Sequence, residues 1–158
     1  MVIVFITCMQ TKQFFAQKAF IVHDGSVLLV RKSADDPSQA GKWEVPGGRM
    51  EFGEEVDAHL QREVREEVGL MITPGEPFAI WQWQMKRADA SGEETYMQVV
   101  AVARICTTSD PTALDDSQRV AEDYLAETAW VPFAELLSYD LIPNMRGVVE
   151  KFLYLQRS

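Results

Sequence analysis

The chain is poor in cysteine: Cys8 and Cys106 are the only two among 158 residues. They are too far apart for a metal-binding pair and too few for a disulfide framework, so a reducing, cytoplasmic setting is the expectation. Positive charge is also scarce. The formal net charge is −9, and non-specific binding to a DNA or RNA duplex or an anionic membrane wants a basic face. No apolar run reaches the roughly 20 residues of a membrane helix. The apolar start, MVIVFITC, has no positive segment before it and no clear cleavage site after it. It reads as an extra edge strand, or as sequence upstream of a start at Met9, with a signal or lipoprotein segment as the third reading. Internal repeats, low-complexity tracts and linkers are absent.

What is present is enough to fold. The chain is 47% hydrophobic and 10% aromatic, and a domain of this length buries roughly two-thirds of its unfolded surface. QKAFIVHDGSVLLVRK (17–32) reads as a hairpin turning at Asp24-Gly25. SADDPSQAGK (33–42) reads as loop and WEVP as a short strand. Strands are expected over 77–85 and 95–105, around the polar turn DASGEE. A loop over 107–121, a strand and short helix in ETAWVPFAELL, and a closing helix over 145–155 complete a layered α/β or α+β pattern.

Residues 47–70, GGRMEFGEEVDAHLQREVREEVGL, hold a conflict. On a helix over 54–68, Val56, Leu60, Val64 and Val68 recur at i+4 and form a buried stripe. Glu63, Glu66, Glu67 and His59 project into one neighbouring arc, roughly 100° wide. Arg62 and Glu66 make a favourable i,i+4 pair. Glu63 and Glu67 are like charges at the same spacing, which costs about 0.2–0.5 kcal/mol. Glu66 and Glu67 also occupy the last turn, where the helix dipole prefers cations. A solvated charged face explains the Arg62 pair and little else. A hard divalent cation removes the conflict, because carboxylate oxygens are its natural ligands. Gly47-Gly48 permits backbone geometry closed to other residues and can turn a carbonyl toward such an ion. Pro46 stiffens the approach, and Gly69 fits a helix C-cap.

The spacing is Gly48, five residues, Glu54, seven residues, Arg62-Glu63-Val64, one residue, Glu66-Glu67, one residue, Gly69-Leu70. It resembles the Nudix box, the signature of the Nudix hydrolases, at every fixed position. FIVHDGSVLLVRK, GKWEVPGG and ETAWVPFAEL extend a looser likeness over most of the chain. The resemblance implies an α/β fold, the Nudix α/β/α sandwich with a mixed β-sheet between helices. It implies one domain over residues 1–158, with 1–15 as a possible extra strand or N-terminal extension. It implies Mg²⁺-dependent cleavage, with Mn²⁺ able to substitute, of a phosphoanhydride in a nucleoside diphosphate linked to a further group. By the same resemblance Glu63, Glu66, Glu67 and the Gly47 carbonyl are metal ligands. Arg62 holds the box glutamates, with Glu54 as its partner. Glu63 is the first choice for general base, and Glu122, in VAEDYLAET, is the loop alternative. His59 departs from the pattern, which has a small residue, often alanine, at that place. A histidine there can fill a gap or reach toward phosphate.

Substrate choice lies outside the box. KWEVPGGRMEFGE and LIPNMRGVVEKF are similar to the MutT-like nucleoside triphosphate pyrophosphohydrolases. Members that prefer ADP-ribose carry a proline some fifteen residues past the box and dinucleoside polyphosphate hydrolases a tyrosine; Met85 stands near that place here. A coenzyme A signature is missing. Trp81 and Trp83 share one side of their strand and either pack in the core or stack on a base. Arg31 or Lys32 could bind phosphate, and Asn144 either reads the base or caps the last helix. The expected substrate is a (deoxy)nucleoside triphosphate, cut to monophosphate and pyrophosphate by a monomer or homodimer. Nucleotide-sugar, ADP-ribose or dinucleoside polyphosphate hydrolysis is the alternative. A sensor that binds a nucleotide without cutting it usually has an eroded box, and this box is intact.

Overall fold

The structure is a computed structural model that describes residues 10–88, 92 and 94–157. The apolar start and most of the DASGEE turn lie outside the described residues. Six strands form the sheet: β1 (Gln10–His23), β2 (Ser26–Lys32), β3 (Trp43–Glu44), β4 (Ile72–Ala88), β5 (Glu94–Thr108) and β6 (Leu125–Pro132). Two helices, α1 (Val56–Val68) and α2 (Arg146–Leu155), complete it with 3₁₀ turns at Ala121–Asp123 and Phe133–Ser138. The strand order is β3-β2-β1-β5-β4, with β6 also paired to β2. β1 runs parallel to β5 and every other pairing is antiparallel, so the sheet is mixed.

Period-two alternation explains the layers. On β1, Phe20 enters one core while Ala19 and Ile21 enter the other. On β2, Val27 and Leu29 face the first core, and Leu28 and Val30 the second. Both faces are therefore covered, and these strands read as continuous apolar runs. The first core is closed by Val148, Val149 and Phe152 of α2, the second by Leu60, Val64 and Val68 of α1. The result is helix, sheet, helix.

The hairpin turns at Asp24-Gly25, both with positive φ (43° and 71°), the geometry of a type I′ turn. β4 begins earlier than its sequence suggests. Pro74 and Pro77 fall inside it, and the ladder to β5 slips register at both. β4 is an edge strand on this path, so a missing N–H is tolerated there. One expectation needs correction. Val56 is not part of the buried stripe: it is 50% exposed, and the first helical turn meets the sheet through polar groups, its carbonyl accepting the Gln17 amide at 2.6 Å.

Beyond its two-residue contact with β2, β1 is flanked by the stretch leading into the box. Ala19 N–H donates to the Pro46 carbonyl (2.8 Å), Gln17 N–H to Gly48 (3.0 Å), and Met50 N–H to Phe15 (2.9 Å). The two box glycines are thereby fixed against the strand and under α1.

Candidate active site

Arg62 organises the outer face of α1. Its guanidinium grips Glu54 through two bonds (2.6 and 3.1 Å) and also reaches Glu63 Oε1 (2.9 Å) and Glu66 Oε2 (2.9 Å). One cation thus gathers three carboxylates, a task suited to the planar fork of arginine. The Glu54 carboxyl is held down at about 2, chiefly by its bond to Arg62.

Glu67 turns inward instead. It is 6% exposed, and its Oε2 accepts the Gly47 N–H at 2.8 Å. The Gly47 carbonyl accepts Lys18 Nζ at 2.5 Å, and Lys18 pairs with Glu44 (2.5 Å), which also pairs with Lys32 (3.1 Å). Glycine is required twice here. At φ 121°, a side chain on residue 47 would run into the backbone carbonyl of Gln17; one on residue 48 would run into the Glu63 carboxylate.

The charges in this site are not balanced. Burial pushes Glu67 up to about 8, and the nearby Glu44 and Glu63 add to it while Lys18 opposes it. Burial also raises Glu63, against the pull of Arg62. Burial pulls Lys18 down, yet Glu44 and Glu67 outweigh it and hold it above its ordinary value. Two carboxylates in this site therefore resist ionisation, the state expected of acidic groups crowded together without enough cation.

Protein-family profiles match residues 16–152 to the NUDIX domain. The chain belongs to the Nudix family. Among curated relatives, the nucleoside triphosphatase NudI of Escherichia coli O17:K52:H18 is 32% identical over 125 residues, 77% of this chain and 83% of that one. The solution structure of the E. coli ORF135 protein is 28% identical with a TM-score of 0.62, covering 94% and 92% of the two chains. The MutT protein of Methanosarcina mazei Go1 is 23% identical with a TM-score of 0.69, covering 96% and 100%, and shares the fold. The chain is accordingly a Nudix hydrolase, a member of a pyrophosphohydrolase family.

In this Nudix hydrolase the expected box residues come together, while the expected substrate residues are dispersed. Glu54, Arg62, Glu63 and Glu66 form one hydrogen-bonded group, and Glu67 and Gly47 form a second pair beside it. Glu66 is half-exposed, but Glu67 does not face solvent as a charged helix end would suggest. The Gly47 N–H on the loop before the helix draws its carboxylate inward instead. The side chain of Glu122 lies outside the described residues; its backbone belongs to the 3₁₀ turn after the 107–121 loop. Arg31 is paired with Glu127 (2.8 Å) and lies over Trp43, and Lys32 donates to the Asp123 carbonyl (2.9 Å) as well as pairing with Glu44. Trp81 and Trp83 stack with centroids 6.3 Å apart, both half-buried over Ala16, Val99 and Ala101. Asn144 precedes α2 without capping it: the N-cap is Met145, with no side-chain bond. A cleft of about 430 Å³ at the C-terminal end of α1, lined by Val68, Asp115, Arg119 and Thr128, includes none of these substrate residues.

The donor set fits a hard divalent cation: carboxylates of Glu63, Glu66 and Glu67 and a glycine carbonyl, all oxygen. Among the described residues no three acidic, thiol or imidazole side chains already form a closed cage. Arg62 and the Gly47 N–H hold the carboxylates apart instead. Sequence reasoning missed Lys18, Glu44 and Gln17, which sit within this site or against it. The available signal was a polar pair, Gln17-Lys18, and a lone Glu44 inside otherwise apolar strands.

Among the described residues, no helix is long and apolar enough to cross a membrane.

Proposed function

We propose that this chain is one Mg²⁺-dependent Nudix domain that hydrolyses a (deoxy)nucleoside triphosphate to a monophosphate and pyrophosphate. The observation that carries the reading is the frustrated carboxylate cluster. Glu63 and Glu67 are held above the usual carboxylate range in a site whose other donors are also oxygens. The name of the NudI relatives supports the substrate class.

When bound, Mg²⁺ supplies positive charge against the phosphate oxygens and makes an attacking water more acidic. Glu63, Glu66, Glu67 and the Gly47 carbonyl would hold it. Glu63 accepts the proton of the attacking water; burial raises its pKa above the ordinary value, which makes it a better base. Glu122 is the alternative base. The oxygen bonds to phosphorus as the phosphoanhydride bond opposite breaks in line, and pyrophosphate departs. Arg62 keeps Glu63 and Glu66 in place, and Glu54 fixes Arg62. Trp81 and Trp83 offer an aromatic surface for the base, with Asn144 as a polar reader. Arg31 keeps its Nε on Glu127 and could offer the rest of its guanidinium to phosphate, whereas Lys32 would have to leave Glu44 and the Asp123 carbonyl.

The test is Mg²⁺-dependent product analysis across canonical and oxidised (d)NTPs, ADP-ribose, dinucleoside polyphosphates and nucleotide sugars, with Glu66→Gln alongside. Monophosphate and pyrophosphate from a triphosphate, absent in the variant, is expected. Turnover of only the diphosphate-linked compounds would replace the substrate assignment. No turnover, with one nucleotide raising the melting temperature, would favour a sensor.

A further inference from the structure

We propose that His59 is a positioning residue for Glu63, its Nε2–H supporting that carboxylate from inside the helix–sheet interface. The proposal rests on the reading of Glu63 as part of the active centre.

The tautomer follows from the hydrogen bonds. Gln17 Oε1 accepts from Arg104 Nη1 at 3.4 Å, so the amide nitrogen is the end that reaches α1. That nitrogen has two hydrogens. One goes to the Val56 carbonyl at 2.6 Å, which can only accept. The other meets His59 Nδ1 at 2.9 Å. Nδ1 must then accept, and the ring proton resides on Nε2. Arg104 is itself anchored, by the Gly75 carbonyl (2.7 Å) and Asp57 (2.5 Å), so flipping the Gln17 amide would set N–H against N–H.

The Nε2–H is a fully buried donor with no acceptor at hydrogen-bonding geometry. Glu63 Oε1 lies 3.9 Å from Nε2, and the Gly48 and Arg49 carbonyls are the competing acceptors, near the ring but outside good hydrogen-bond geometry. Buried polar groups are nearly always paired, and an exception next to reacting groups points to a role there. Arg62 holds the same Oε1 from the outer side at 2.9 Å. Glu63 Oε1 thus has Arg62 as its direct donor on the outer side and the His59 N–H 3.9 Å away on the inner side, and Oε2 is turned over Gly48. His59 narrows the rotamers of Glu63 and leaves Oε2 to meet water or cation.

The test combines nitrogen NMR of the imidazole with steady-state kinetics of His59→Leu and His59→Gln, and Glu63→Gln as reference. The spectrum of the wild-type protein should show Nδ1 unprotonated and Nε2 protonated. His59→Leu should lower kcat by ~10–100-fold, the usual loss for an outer-shell partner, with KM within about twofold. His59→Gln, which keeps an N–H, should recover most of it. Wild-type kcat in His59→Leu, or a proton on Nδ1, overturns the proposal. The two readings separate through the reference. An inactive Glu63→Gln beside a normal His59→Leu sinks the role of His59 alone. A fully active Glu63→Gln sinks the active-centre reading and this proposal with it.

Discussion

Replacing Glu67 by glutamine should strengthen the metal-free fold while removing activity. Glu67 is buried, with its carboxyl raised from an ordinary 4.5 to about 8. The native state therefore keeps a proton that the unfolded chain has already lost between those two values. Stability falls as pH rises across that window, by ~1.4 kcal/mol per pH unit for a fully coupled group. The upper bound at pH 8 is near 5 kcal/mol; relaxation and water entry bring a realistic figure to roughly 2–4 kcal/mol. Glutamine keeps an oxygen for the Gly47 N–H and never ionises. Glu67→Gln should match wild type near pH 4.5 and exceed it progressively up to pH 8, by roughly 10 °C in Tm for a chain of this size. Within this window Glu63, also raised, adds to the fall, while His59, lowered from 6.5, opposes it below that value. The effect of Glu67 is therefore read from the difference between variant and wild type. Two other buried groups act outside the window. The depressed Glu44 gives stability that is lost only as pH falls through its folded pKa, below the ordinary carboxylate range. The raised Lys18 gives stability that is full below its ordinary 10.5 and lost only as pH rises through its folded pKa, above that value. The assay is thermal unfolding from pH 5 to 8.5, with EDTA and with excess Mg²⁺. Mg²⁺ should stabilise wild type increasingly with pH and the variant far less. A stability difference between variant and wild type in EDTA that does not grow from pH 5 to 8, or a variant less stable than wild type at pH 8, would refute the reasoning.

The box glycines should fail in different ways. Gly47→Ala drives a side chain into backbone at an unfavourable φ and should cost roughly 2–4 kcal/mol in denaturant unfolding, whereas Gly48→Ala displaces only the end of Glu63, leaving Tm nearly unchanged while activity drops. Arg62→Lys cannot hold three carboxylates and should lower kcat by ~10–100-fold with the fold intact by circular dichroism. Trp83→Ala should raise KM for a purine substrate more than it lowers kcat, since base–aromatic stacking is worth ~1–3 kcal/mol; equal KM values would remove the tryptophan surface from the substrate site.

The box helix was legible because its signals are local. Spacing, glycines and mismatched charges all fall within residues 47–70, and Glu54, Arg62, Glu63 and Glu66 assemble as their intervals suggest. The hairpin at Asp24-Gly25 was legible for the same reason. What the sequence hid is what distant elements decide. Glu67 is buried because the loop before the helix offers it a backbone N–H, and nothing in its own neighbourhood says so. Val56 fits the i+4 pattern, yet the first turn of α1 meets the sheet through polar groups, Gln17 at the Val56 carbonyl and Arg104 at Asp57, and the Val56 side chain stays half-exposed. Arg31 and Lys32 look like free strand-end cations until β6 and β3 bring Glu127 and Glu44 to them. The start of β4 was obscured by two prolines that an edge position tolerates.

The pairing of β1 has a consequence for how the molecule is made. Its twelve ladder positions, Gln10 to Ile21, match Thr95 to Cys106 in parallel register. The hairpin and the acidic helix can form soon after synthesis, but this strand waits for a partner more than eighty residues behind it. Contacts of such long sequence separation place folding in milliseconds to seconds, where local helices need microseconds. Since the box glycines are fixed against β1, catalytic competence on refolding should follow closure of that ladder and lag well behind the return of helix. Through most of its passage from the ribosome the nascent chain carries a long, unpaired strand, the stage at which a holding chaperone has most to protect.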